Sequence, residues 1–266
     1  MRIAFFMFHL VSLVFTWASL ASDLEGQAPI KRVRVEKIDN GENLDQQLEG
    51  IINSAYMPCE AIIMAGKQYF AKKNYDRASD AFDKCPITDI AVLRVAIKAN
   101  VSAKRYARAS ELYQQISQPS ITDKRNAVLV YVSAKNYRLA ITEGLSLIHM
   151  PSSEIQDSIN LATAYFLNSN FDQARELFRT IPVESITHNE DRARAVCSSF
   201  SDGDFKRGAM LCDSILSGEN TISDKRWVAS RYVMLKDYER VCNIYELILN
   251  GDHTIKDLLA AAKYNF

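Results

Sequence analysis

Glycine and proline are scarce in this chain of 266 residues, with nine and six copies. So few helix breakers exclude a collagen-like chain and lean the composition towards helix. An excess of charge of one sign is also lacking: 32 Lys and Arg stand against 32 Asp and Glu. A neutral chain lacks the basic surface that nucleic acid requires, so no nucleic-acid partner is expected. Catalytic signatures are missing as well. There is no HExxH, GxSxG, GxGxxG or GxxxxGK[ST] pattern. Histidine is rare: His9, His149, His188 and His253 are scattered, and none joins a Cys or Asp at zinc-ligand spacing. The expectation is a chain that is not an enzyme and uses no metal or cofactor. Hydrophobic residues make up 48% of the sequence, enough for a sizeable globular core in one or two domains.

The first segment is set apart. Arg2 precedes the run Ile3–Leu20, which carries no Asp, Glu, Lys or Arg. Ser19 and Ala21 follow as small residues where a signal peptidase reads, and Asp23 and Glu25 come next. This is the layout of a secretory signal peptide over residues 1–21. The alternative is an uncleaved anchor, which would leave the rest exported and confine any membrane contact to this segment. Either way the protein is expected to be exported, periplasmic or secreted. Residues 22–42 contain the basic stretch Lys31-Arg32-Val33-Arg34-Val35-Glu36-Lys37 and read as a flexible arm. Leu44, Leu48, Ile51, Ile52 and Ala55 then recur at helical spacing, which predicts a capping helix over 44–56.

From there the chain repeats. Six segments begin with an aromatic residue at a turn: Tyr75, Tyr106, Tyr137, Phe171, Phe205 and Tyr238, spaced 31, 31, 34, 34 and 33 residues apart. Three positions on stand Ala78, Ala109, Ala140, Ala174, Gly208 and Val241, followed after four more by a bulky residue in most copies. Nine before that position stand Tyr69, Asn100, Tyr131, Tyr165, Ser199 and Tyr232. Each unit therefore reads as two antiparallel helices joined by a tight polar turn. Small residues permit close approach, and aromatics fill the groove beside them. Thr88-Asp89 and Ser153-x-x-Gln156 are helix-start signals, and Pro86, Pro119, Pro151 and Pro182 stand where second helices should stop. Asp257–Phe266 reads as a closing helix.

The pattern resembles the tetratricopeptide repeat (TPR) family over about residues 59–250. Gly66, Tyr69, Tyr75, Ala78, Phe82 and Pro86 match well, as do Ala162, Tyr165, Phe171, Ala174, Phe178 and Pro182. Other copies depart from it. Asn100 and Ser199 replace an aromatic, Gly144 and Cys212 a bulky residue, and Gly208 and Val241 an Ala. The two 31-residue intervals are short for the family, and the deficit is expected in the loops between repeats. The resemblance implies an all-α, right-handed superhelical solenoid over 43–266, with a capping helix at each end.

It also implies a concave groove lined by the first helix of each repeat. The family's positions map onto Lys67, Phe70, Arg94, Lys98, Arg125, Leu129, Phe166, Phe200 and Arg226. Their front half is basic and their back half apolar, which suits an extended peptide with acidic and apolar residues. The family's carboxylate clamp requires Asn beside its Lys and Arg. Asn is not at those positions here, so that activity is not carried over. The expected function is a protein–protein interaction scaffold in the cell envelope, aiding assembly or regulation of a complex, with its protein partner unknown. The rival expectations are a glycan- or peptidoglycan-binding accessory factor and a secreted effector.

Export gives the five cysteines meaning, because oxidising compartments permit disulfides. Cys59 opens one predicted helix and Cys85 closes its antiparallel mate, so a Cys59–Cys85 disulfide is geometrically reasonable. Cys197, Cys212 and Cys242 read as small core residues, with a Cys197–Cys212 contact as the alternative.

Overall fold

The computed structural model describes residues 42–53, 58–251 and 253–264. The expected signal peptide and basic arm lie outside these residues, except Glu42, which opens the first helix. Among the described residues there are fourteen α-helices and no strand. The chain divides into two compact units at Gly50–Ile51, inside helix α1 (Glu42–Asn53).

The second unit is a row of helical hairpins. They are α2 (Cys59–Ala71) with α3 (Tyr75–Asp83), α4 (Ile90–Ser102) with α5 (Tyr106–Tyr113), and α6 (Ile121–Ser133) with α7 (Tyr137–Ile148). Next come α8 (Ile155–Leu167) with α9 (Phe171–Thr180), α10 (Asn189–Ser201) with α11 (Phe205–Ser217), and α12 (Ile222–Met234) with α13 (Tyr238–Leu249). Helix α14 (Ile255–Tyr264) follows alone.

All six hairpins turn in the same way. One residue per turn takes a left-handed backbone: Lys73, Lys104, Lys135, Ser169, Gly203 and Lys236. The next residue's N–H reaches back five positions, as in Asn74 to the Tyr69 carbonyl, Asn136 to Tyr131 and Asp237 to Tyr232. This is the Schellman closure of a helix C-terminus, which satisfies carbonyls the helix leaves open. Five of the six left-handed residues are not glycine, so the turn is held against a steric cost of about 1 kcal/mol at each.

The seam inside each hairpin follows the sequence pattern. Ala78, Ala109, Ala140, Ala174 and Val241 are fully buried, as are Tyr69 and Tyr232. Gly66 lets the Phe82 ring approach, since an added Cβ would lie 3.0 Å from it. The degenerate copies have local compensations. Gly144 packs against Leu161 of the next repeat, where an added Cβ would meet the leucine at 3.0 Å. In the fifth hairpin, Ser199 lacks a ring, and the ring of its neighbour Phe200 lies over Gly208, so close that a methyl there would overlap it.

One expectation is corrected. The short intervals do not arise in the loops. Every first helix from α2 to α12 has 13 residues, but α3 and α5 have only nine and eight, against ten to 13 in the later second helices. The connections after α3 and α5, six and seven residues, lie within the range of four to eight found after the later second helices. A second helix can lose its last turn because its seam residues, such as Ala78 and Phe82, sit in its first two turns.

Candidate functional site

The first helices carry the residues expected to face a groove, and the structure sorts these into three groups. The arginines form the first. Arg94 grips Asp123 of the next repeat with two parallel bonds, Nε to Oδ1 at 3.0 Å and Nη2 to Oδ2 at 2.8 Å. Arg125 holds Asp157 in the same way at 2.9 and 3.0 Å, and also meets Glu154 at 2.6 Å. Arg226 holds Asp257 at 2.7 and 2.6 Å. Planar guanidinium matched to planar carboxylate is a strong, directional pair.

Each of these aspartates already has a local task. It is the third residue of its helix and accepts from the backbone N–H of the capping residue: Ser120, Glu154 or Thr254. The Ser120 and Thr254 hydroxyls donate to the same carboxylates. The Arg94 guanidinium, helped by Ser120, holds the Asp123 carboxyl down at about 2. Arg226 and Thr254 likewise hold Asp257 well below the usual carboxylate range. So the arginines expected to meet a partner are engaged between repeats, and their charge is neutralised by an aspartate one repeat on. Where the fourth repeat has Ile159 in place of Arg, Asp191 instead accepts from Thr163 and from Arg194 on its own helix, both at 2.8 Å.

These aspartates were missed in the sequence although they carry a signal. Asp123, Asp157, Asp191, Asp224 and Asp257 recur at 34, 34, 33 and 33 residues. A Ser, Glu or Thr stands three before four of the five. The expected start Ser153-x-x-Gln156 is off by one residue, because the box is closed by Glu154 and Asp157. Asp89 caps α4 as expected, accepting from Ala91 and Val92.

The aromatic residues form the second group. Phe70, Phe166 and Phe200 each pack against the turn aromatic of their own hairpin. Centroid distances are 5.6 Å to Tyr75, 5.4 Å to Phe171 and 5.8 Å to Phe205. Phe171 and Phe205 are more than half exposed, so these pairs make an apolar edge along the turns.

The third group remains available. Lys67 and Lys98 are exposed and occupy the same position in successive first helices. Neither has an ion-pair partner among the described residues. Leu129 holds the next such position and is 50% exposed. Thr163 and Cys197, in the next two repeats, are buried and half-buried, and Ser230 in the sixth is exposed. The first three positions of the column are therefore an exposed run of two positive charges followed by one apolar side chain.

Helices α7, α8 and α9 border a shallow cleft of about 350 Å³. Leu145, Ile148, Leu161, Tyr165 and Leu177 form its walls, with Asp172 and Glu176 on its rim. Tyr131 is covered edge-on by Tyr113 of the preceding repeat, with centroids 6.4 Å apart. Gly144 offers Tyr165 no such ring.

All five cysteines are free thiols. Cys59 and Cys85 stand at the same end of the first hairpin, and burial together with Cys59 pushes the Cys85 thiol up to about 12. Cys212 is fully buried with Cys197 nearby, and burial pushes its thiol up to about 12. Cys242 donates to the Tyr264 carbonyl at 3.1 Å. No group of three or more metal-ligating side chains occurs among the described residues.

The chain is similar in structure to the C-terminal part of a TPR repeat-containing protein from Cytophaga hutchinsonii. That match has a TM-score of 0.50 and 15% identity, over 82% of this chain and 94% of the other. The fold is the TPR solenoid. A second likeness is to PilF from Pseudomonas aeruginosa, with a TM-score of 0.51 and 13% identity, over 78% of this chain and 96% of that one. A TPR protein from Parabacteroides merdae aligns over 85% of this chain and 91% of its own, at a TM-score of 0.49 and 11% identity. No protein-family model and no curated protein matches the sequence. In TPR terms the arginine–aspartate pairs bind the second repeat to the third, the third to the fourth, and the sixth to the closing helix.

Proposed function

We propose that this protein is a non-enzymatic scaffold that binds a protein partner through an extended acidic segment laid along its first helices. The observation that carries this reading is the pair of exposed, unpaired lysines, Lys67 and Lys98, at equivalent positions of adjacent repeats, with exposed Leu129 next in the column. A segment with two acidic residues and an apolar one beyond them would match this row. Stacked hairpins keep the row open before binding, so little scaffold ordering is needed. Arg94, Arg125 and Arg226 act indirectly, by setting the angle between repeats.

The location goes with the sequence pattern of residues 1–21. We infer export to the cell envelope, with a role in assembling or regulating a complex there. Among the described residues no helix is long and apolar enough to cross a membrane. Affinity capture with crosslinking, using wild type and the Lys67→Glu/Lys98→Glu variant, tests the reading. Wild type should retain a protein carrying an acidic segment, and the variant should bind it about tenfold to a hundredfold more weakly. Equal capture by both would reject the groove as the binding site.

A further inference from the structure

We propose that Cys59 and Cys85 form a structural disulfide that clasps the open end of the first hairpin. Cys59 is the first residue of α2, and Cys85 follows the end of α3 by two residues. The antiparallel hairpin returns the chain to its starting end, so Cys59 and Cys85 come to the same end of the packed α2–α3 pair. Cys85 is buried at 7% exposure, while Cys59 is half-buried and open to reagents. Lys84, beside Cys85, donates to the Ile52 carbonyl at 2.8 Å and to the Asn53 side chain at 3.2 Å. These bonds hold the residue just before Cys85.

The remaining cysteines offer no equal pair. Cys242 is committed to the Tyr264 carbonyl. Cys212 is fully enclosed in the core, away from an external oxidant. The reaction requires an external disulfide as oxidant, either a small molecule or a protein dithiol catalyst in its oxidised form. The Cys59 sulfur attacks this disulfide and forms a mixed disulfide, and one external thiol leaves with the Cys59 proton. The Cys85 sulfur then attacks Cys59, forming the internal S–S bond, and the second external thiol leaves with the Cys85 proton. Two cysteine thiols are oxidised and one external disulfide is reduced to two thiols. The bond closes a loop within which α2 carries Lys67, so it fixes the first position of the binding row.

The test equilibrates the folded full chain with oxidised glutathione, blocks free thiols by alkylation, and maps peptides with and without reductant. The expected result is one linked pair, Cys59 with Cys85, lighter by two hydrogens, with Cys197, Cys212 and Cys242 alkylated once the chain is unfolded. The oxidised form should melt higher by roughly 5 °C or more. Cys59→Ala, which leaves the buried Cys85 in place, should remove the response of the melting temperature to reductant. Alkylation of both Cys59 and Cys85 without reductant would overturn the proposal. So would linkage of either to another cysteine, or an unchanged reductant response in Cys59→Ala.

Discussion

Arg226 and Asp257 are 31 residues apart in sequence and joined by two parallel bonds of 2.7 and 2.6 Å. The aspartate belongs to α14, and its other contacts are the Thr254 backbone and hydroxyl. One carboxylate thus starts a helix and ties that helix to the preceding repeat. Asp123 and Asp157 do the same earlier in the chain. The repeat contact is therefore polar and directional along the first-helix side, as well as apolar at the seam.

These carboxylates predict acid sensitivity with a defined sign. Asp123 is held down at about 2 in the folded chain, below its ordinary value of 3.8. A depressed carboxyl contributes stability that is present above its unfolded value and lost as pH falls through its folded one. Stability should therefore decline between about pH 4 and pH 2. Asp123→Asn should shrink that decline and cost about 1–2 kcal/mol at neutral pH through the lost capping box and ion pair. Thermal unfolding across this pH range measures both effects.

Phe200 and Gly208 make a second prediction. The ring occupies the space of the missing side chain, so Gly208→Ala should destabilise by about 1–3 kcal/mol through overpacking. The same substitution is the residue that most other repeats carry at this position. A variant that pairs Gly208→Ala with Phe200→Leu should recover part of the loss. Denaturant unfolding of the two variants gives the comparison.

How far the sequence reveals this arrangement depends on distance along the chain. The hairpins are legible because Tyr69, Tyr75, Ala78 and Phe82 act within one repeat, and the aromatic spacing marks each turn. The role of the arginines is not, because Arg94 and Asp123 are 29 residues apart and each looks like an ordinary surface charge on its own helix. The aspartate period is as regular as the aromatic one, but it becomes meaningful only once adjacent first helices are placed side by side. The helix lengths were hidden for another reason. Turn spacing fixes the total of second helix, loop and first helix, and leaves open which of them is short.

The left-handed turn residues give a third prediction. Lys104 and Lys135 are exposed, and their backbone takes the conformation that glycine adopts at low cost. Lys135→Gly should raise stability by about 0.5–1 kcal/mol, because it relieves that cost at a Schellman turn. Lys135→Val should lower it, since a branched side chain is worse there. Chemical denaturation with unchanged slope checks both.

The lysine row predicts a salt effect distinct from the arginine pairs. Contacts of exposed Lys67 and Lys98 with an acidic segment should weaken as ionic strength rises. Arg94→Ala should act first on melting temperature, through the unpaired Asp123, and only secondarily on partner capture. Lys98→Ala should weaken capture and leave the melting temperature unchanged. Parallel melting and capture measurements separate the two residues.

The central claim is that the front of the groove, at Lys67, Lys98 and Leu129, holds a protein partner. Its most direct test places a photo-crosslinking side chain at Leu129 and irradiates the protein in its native cells. The account predicts an adduct through an acidic segment of a partner, strongly reduced in the Lys67→Glu/Lys98→Glu variant at unchanged melting temperature. The absence of any protein adduct, or an equal yield from that variant, would contradict it.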